Sequence, residues 1–214
     1  MRKFTKDELF YMSKVPRLNL VNCLTGYKSA NLIGTCSESG VSNLAIFSSV
    51  THLGSEPALL GFILRPTTVP RDTYKNIKET GYFTLNHITE DMIDDAHHTS
   101  SSYEEGISEF EKTGLTPEYK DHFFAPYVAE SKIQLGIEFK EKVPISVNNT
   151  TLIIGEIIQI YIPEDCLNED GFVDIEKANS ITCSGFDSYH KTVQLDRLSY
   201  AKPNQDLTSL LNKH

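Results

Sequence analysis

The sequence predicts a mainly β protein, a β-barrel with helices attached, and three observations carry that reading. In residues 132–142 the apolar side chains alternate at Ile133, Leu135, Ile137 and Phe139, the period of a half-buried antiparallel strand. Residues 151–161 read Thr-Leu-Ile-Ile-Gly-Glu-Ile-Ile-Gln-Ile-Tyr, the strongest strand signal in the chain. The strands do not alternate regularly with helices, which argues against a doubly wound sheet.

Taken in order, residues 1–14 form an N-terminal arm, and residues 18–24 alternate enough for an outer strand turning at Gly26. Residues 31–36 and 58–64 are short apolar runs bounded by Gly, Ser and Pro, which predicts buried strands. Residues 39–52 between them read as a loop of hydroxyls, one amide and many backbone N–H groups. Such a mixture suits a half-buried, planar polar ligand. Residues 72–80 have the pattern of a short helix, capped by Asp72 or Thr73 and stopped by Gly81. A strand follows at 82–86. Residues 88–130 are acidic and partly helical in spacing, an excursion outside the sheet. With no repeat and no low-complexity linker, residues 1–214 read as a single domain.

The formal charge of -9 argues against nucleic acid or an anionic membrane as partner, since both need clustered Lys and Arg. The charged N-terminus lacks the apolar core of a secretory signal, no run approaches membrane length, and the four cysteines are scattered without a C-x-x-C pair. These features predict a reduced, cytoplasmic protein. No metal is expected, because the adjacent His97 and His98 would point about 100 degrees apart on a helix and form a poor chelate.

Candidate chemistry gathers between residues 29 and 77. Arg65 and Arg71 precede the helix at Thr73, and a helix N-terminus flanked by guanidiniums favours an anion. From spacing alone, Ser48 and Ser49 read better as turn residues, Arg65 and Arg71 read equally as surface charges, and Thr73 fits a plain helix cap as well as a phosphate ligand. No Gly-x-Ser-x-Gly elbow, Walker-type loop or Gly-x-Gly-x-x-Gly turn is present.

In order, Gly40-Val-Ser-Asn-Leu-Ala-Ile-Phe-Ser-Ser49, Glu56-Pro57, Thr73-Tyr-Lys-Asn-Ile77 and Gly81-Tyr-Phe-Thr-Leu-Asn86 resemble the flavin reductase-like, FMN-binding split-barrel family. Glu109-Phe-Glu-Lys-Thr-Gly-Leu-Thr-Pro117, Gly155-Glu156 and Gly185-Phe-Asp-Ser-Tyr189 are similar to its flavoredoxin-like members. The resemblance implies a six-stranded antiparallel split barrel, a homodimer and FMN near the dimer interface. It implies Asn43, Ser48, Ser49, Val50 and Thr51 along the ring and ribityl chain, with Arg65, Arg71 and Thr73 around the phosphate. His52, Tyr189 and His190 are the candidates for touching flavin or substrate. The implied activity is NAD(P)H-dependent flavin reduction or flavoredoxin-like electron transfer, with NAD(P)H as a transient donor. A carrier serving a redox partner protein and a pyridoxamine-phosphate-oxidase-like flavoenzyme stand as alternatives.

Overall fold

The computed structural model describes residues 1–66, 71–104 and 106–211. Two helices open the chain, α1 (Lys6–Tyr11) and α2 (Lys14–Cys23), followed by strands β1 (Lys28–Ser29), β2 (Asn31–Cys36), β3 (Ser42–Phe47), β4 (Thr51–Ser55) and β5 (Ala58–Leu64). Then come α3 (Asp72–Thr80), β6 (Tyr82–His87) and α4 (Ile93–His98). The last strands are β7 (Pro117–Glu118), β8 (Tyr127–Val128), β9 (Gln134–Ile145), β10 (Thr150–Tyr161), β11 (Thr182–Ser184) and β12 (Ser188–His190). The class is the one expected.

The main sheet holds seven antiparallel strands rather than six, in the order β3-β2-β6-β9-β10-β5-β4. Its two edge strands, β3 and β4, are joined by only Ser48, Ser49 and Val50. Laid flat, seven strands would span roughly 29 Å, whereas that link reaches roughly 14 Å at full stretch. The sheet therefore has to curl, and register shifts in the long β9–β10 pairing help it bend.

Curling makes an inside and an outside, and both are buried at β2. Ile33 faces the barrel interior with Phe62, Phe83, Ile137 and Ile153, and Phe47 at the end of β3 and Val50 of the closing link pack against that core. Leu32 faces outward into a second core with Leu44, Met92, Ala96 and Phe110. Every residue of β2 is buried, which is why its sequence reads as a continuous apolar run. The excursion over residues 88–130 supplies this outer cover. It crosses so closely that a Cβ on Gly34 would collide with the Pro126 carbonyl and the Thr84 hydroxyl.

Three expectations are corrected. Residues 18–24 are not a strand but lie largely within α2; Leu18 and Val21 fit a three-residue helical step as well as an alternation, and Pro16 is tolerated in the first turn. Residues 39–52 are not one loop but contain β3 and β4, whose Leu44 and Ile46 turn to the outer core while Phe47 turns inward. The N-cap of α3 is Arg71, without a side-chain cap bond, because Thr73 is drawn into the interior. Gly81 ends that helix as expected, at φ 76, with its N–H donating to the Ile77 carbonyl.

Candidate functional site

The start of α3 is built on a buried polar cluster. Thr35 and Asn43 face each other across the β2–β3 register, and one helical turn of α3 brings Thr73 and Asn76 onto them. The Asn43 amide donates to the Thr73 hydroxyl oxygen at 3.1 Å and to that of Thr35 at 3.3 Å, and the Asn76 amide donates to Thr35 at 3.1 Å. Each threonine acts there as acceptor, so its own proton is left for another partner. Thr35 and Asn76 went unnoticed in the sequence, although recognising 42–47 as a strand paired to 31–36 would have exposed the Thr35–Asn43 pair.

Beside this cluster Glu109 accepts from the Leu44 N–H at 2.8 Å. Burial, opposed by its hydrogen bonds and assisted by the nearby Asp72 carboxylate, pushes the Glu109 carboxyl above its ordinary value. Arg71 is the N-cap of this helix, whose first N–H groups have no intrahelical partner.

The link Ser48–Val50 lies outside both sheet ladders, which end at Phe47 and resume at Thr51. The Ser49 hydroxyl accepts from the Ile63 N–H at 3.0 Å and donates back to the Ile63 carbonyl at 3.3 Å, extending the β5 edge where β4 has stopped. Ser48 hydrogen-bonds the Cys183 thiol, which ties the link to the second sheet, β1-β11-β12. Val50 packs into the barrel core, and Thr51 is exposed opposite Gly61. The backbone N–H groups of this short link are what it can offer a ligand.

The three candidate catalytic residues do not converge. His52 is exposed on β4 and contacts Ser55 at 3.3 Å. Tyr189, on β12, meets His97 Nδ1 at 2.8 Å through its hydroxyl, and burial pushes its phenol up to about 12, so it is neutral at ordinary pH. His190 shares its Nε2 between Ser184 at 2.9 Å and Ser188 at 3.3 Å, with its ring against Tyr27. Of the expected arginines, Arg71 is the N-cap of α3, and Arg65 lies over the Phe186 ring at 5.5 Å. The middle of their link, residues 67–70, lies outside the described residues.

Elsewhere a cavity of about 260 Å³ is lined by residues including Thr89, Asp95, Gly114, Glu130 and Lys132, and none of the predicted site residues reaches it. Two of its acids are engaged, Asp95 by the Gly114 N–H and Glu130 by the Thr116 N–H. Among the described residues no three His, Cys, Asp or Glu side chains are grouped to hold a metal, and no helix is long and apolar enough to cross a membrane.

Residues 24–177 match the flavin reductase like domain, and the chain belongs to that family. It is a flavin-linked oxidoreductase of split-barrel fold. It is similar to a split-barrel protein of Shewanella frigidimarina NCIMB 400 named as a flavin reductase, with 41% identity, a TM-score of 0.91 and coverage of 94% of this chain and 100% of that one. Flavoredoxin of Desulfovibrio vulgaris (Miyazaki F) is similar at 25% identity and a TM-score of 0.68, covering 84% of this chain and 92% of the other. An uncharacterized Aquifex aeolicus protein is 30% identical over 161 residues, 74% of this chain and 81% of its own. The geometry fits a flavin: unladdered amides at Ser48–Val50 suit a ring edge of carbonyl oxygens, and the α3 start offers hydroxyl, amide and guanidinium donors.

Proposed function

We propose that this protein is an FMN-dependent flavin reductase that takes hydride from NADH or NADPH. The observation that carries the reading is the pairing of two donor sets on one barrel, the Ser48–Val50 link and the Arg71–Thr73 start of α3. FMN, when bound, supplies the redox chemistry. Arg71, Thr73 and the first N–H groups of α3 hold the phosphate, with Asn43 fixing the Thr73 hydroxyl from behind. The amides of Ser48, Ser49, Val50 and Thr51 donate to the pyrimidine edge, where negative charge grows on reduction, and so stabilise the reduced state. Tyr189, kept protonated and held by His97, bounds the site on the side of the second sheet.

FMN is expected to bind at least ten-fold more tightly than riboflavin, since each charge-assisted bond to phosphate contributes roughly 1.5–3 kcal/mol. A fluorescence titration with both flavins checks this, and equal affinities remove the phosphate assignment. Anaerobic NADH or NADPH should then bleach the bound flavin. If neither does, the electron-carrier reading replaces the reductase.

A homodimer completes the proposal. α1 and α2 have 6 and 10 residues and bury none of them, leaving Phe10, Tyr11, Val15, Val21 and Leu24 exposed. Helices this short gain their stability from packing, and a second copy is the cover proposed here. The acidic excursion from Glu90 to Glu111, from sequence the nearest candidate to help provide that surface, buries Met92, Ala96 and Phe110 within its own chain. Light scattering of the FMN-loaded protein should report a dimer at micromolar concentration, and a monomer there contradicts this assembly.

A further inference from the structure

The second sheet presents a surface that flavin binding leaves unused. β11 and β12 are joined by a turn of Gly185, Phe186 and Asp187. Gly185 is buried at φ +63, where a Cβ would stand 3.1 Å from the Cys23 sulfur, so the turn is held tightly against the end of α2. Lys28 Nζ donates to the Gly185 carbonyl at 2.9 Å and retains two further donors. On the next residue, the Arg65 guanidinium lies 5.5 Å from the centre of the Phe186 ring. Among the described residues that guanidinium makes no ion pair and no hydrogen bond, which leaves its five N–H donors to solvent or a ligand. Two cations thus bracket consecutive residues of one turn in a chain of net charge -9.

Aromatic surface accompanies them. Phe186 is 37% exposed, and Tyr27, 66% exposed, packs on the His190 ring at 4.8 Å. The exposed Asp187 is the one acid of the turn. The assembly is anchored to the flavin link, because Cys183, two residues before the turn's Gly185, hydrogen-bonds Ser48, and the Ser29 hydroxyl reaches the Val50 carbonyl at 3.5 Å. A ligand lying on this turn therefore extends from the side of the flavin link.

We propose that Lys28, Arg65, Phe186 and Tyr27 form the shelf that takes the adenosine diphosphate half of the reduced nicotinamide donor. The pyrophosphate sits between the two cations, and the adenine lies on an aromatic face. This inference rests on the nicotinamide reading above and assigns to that donor a place distinct from the α3 start. The chemistry matches in both parts: Arg and Lys meet a pyrophosphate that carries one negative charge on each phosphate, and an uncovered ring offers a stacking face of a kind every purine can use. The fold needs no separate dinucleotide-binding domain for this, since the flavin holds the other half of the donor at the barrel mouth.

The test compares full-length, FMN-loaded protein and its Lys28→Ala and Phe186→Ala variants with two donors. One is NADH or NADPH, and the other is 1-benzyl-1,4-dihydronicotinamide, which lacks the adenosine diphosphate half. In each variant the ratio of kcat/KM for the dinucleotide to that for the benzyl compound should fall ten-fold or more, through KM. An unchanged ratio overturns the shelf. Calorimetry with ADP-ribose, which cannot donate hydride, separates this proposal from the reductase reading: wild type should bind it and Lys28→Ala should bind it ten-fold more weakly. Absence of ADP-ribose binding overturns the shelf even if the enzyme oxidises nicotinamides, whereas ADP-ribose binding without any hydride transfer leaves an ADP-binding surface but overturns its role as a donor shelf together with the reductase. Arg65→Ala supplies the last arm. A ten-fold loss of FMN affinity there, with ADP-ribose binding intact, returns Arg65 to the flavin phosphate and overturns the assignment.

Discussion

Ser49→Pro is expected to weaken FMN binding ten- to hundred-fold and to slow nicotinamide-driven reduction with it. Proline removes the Ser49 N–H and fixes φ without changing any charge. A hydrogen bond to a group that becomes charged contributes roughly 1.5–3 kcal/mol, which sets that range. The substitution also deletes the hydroxyl that bridges the Ile63 N–H and carbonyl, so a loss of thermal stability accompanies it. Ser49→Ala loses the same bridge and keeps the N–H. The difference in FMN dissociation constant between the two variants therefore reports the amide alone, provided circular dichroism shows both barrels folded. If proline and alanine bind FMN equally well, the link is a closure device for the barrel and has no place at the flavin.

The second large effect is a loss of about 3 kcal/mol of stability as pH falls from 6.5 to 4, traced to His87. Its Nδ1 lies 3.0 Å from the Ser180 hydroxyl, and burial lowers its value from 6.5 to about 4. In the unfolded chain the imidazole takes its proton as pH drops through 6.5, while the folded protein resists until about 4. Across that window the unfolded state binds more protons and stability falls; below it the loss levels off. Glu109 acts in the opposite direction, because its raised carboxyl is relieved on protonation. Urea unfolding of wild type and His87→Gln across the window isolates the histidine. The variant should show a flatter profile, and parallel profiles would refute the assignment.

Local signals were legible wherever one short stretch carried its own boundaries. The strand at 58–64 and the helix at 72–80 have the predicted bounds, since Pro57 precedes the one and Gly81, in a left-handed conformation, ends the other. The strand expected at 151–161 runs from Thr150 to Tyr161, because β-branched and apolar residues dominate it throughout. The short strands β3 and β4 were hidden by their small polar residues, although each pairs with a strand next to it in the chain, β3 with β2 and β4 with β5. Residues 18–24 failed for a related reason: a short amphipathic stretch fits two periods, and α2 buries nothing that would have favoured either.

By itself, then, the sequence determined the β class, the helix at residues 72–80, the acidic balance of charge and the ordered motifs of a flavin-linked barrel. Only the tertiary structure decided that a three-residue link closes the barrel, that Asn43 supports Thr73 from within, and that the Arg65 guanidinium lies over the Phe186 ring. The reason is physical. Propensity, capping and alternation act over a few residues and leave their mark locally, whereas closure and side-chain convergence depend on registers between strands far apart in the chain, where no single residue carries the signal.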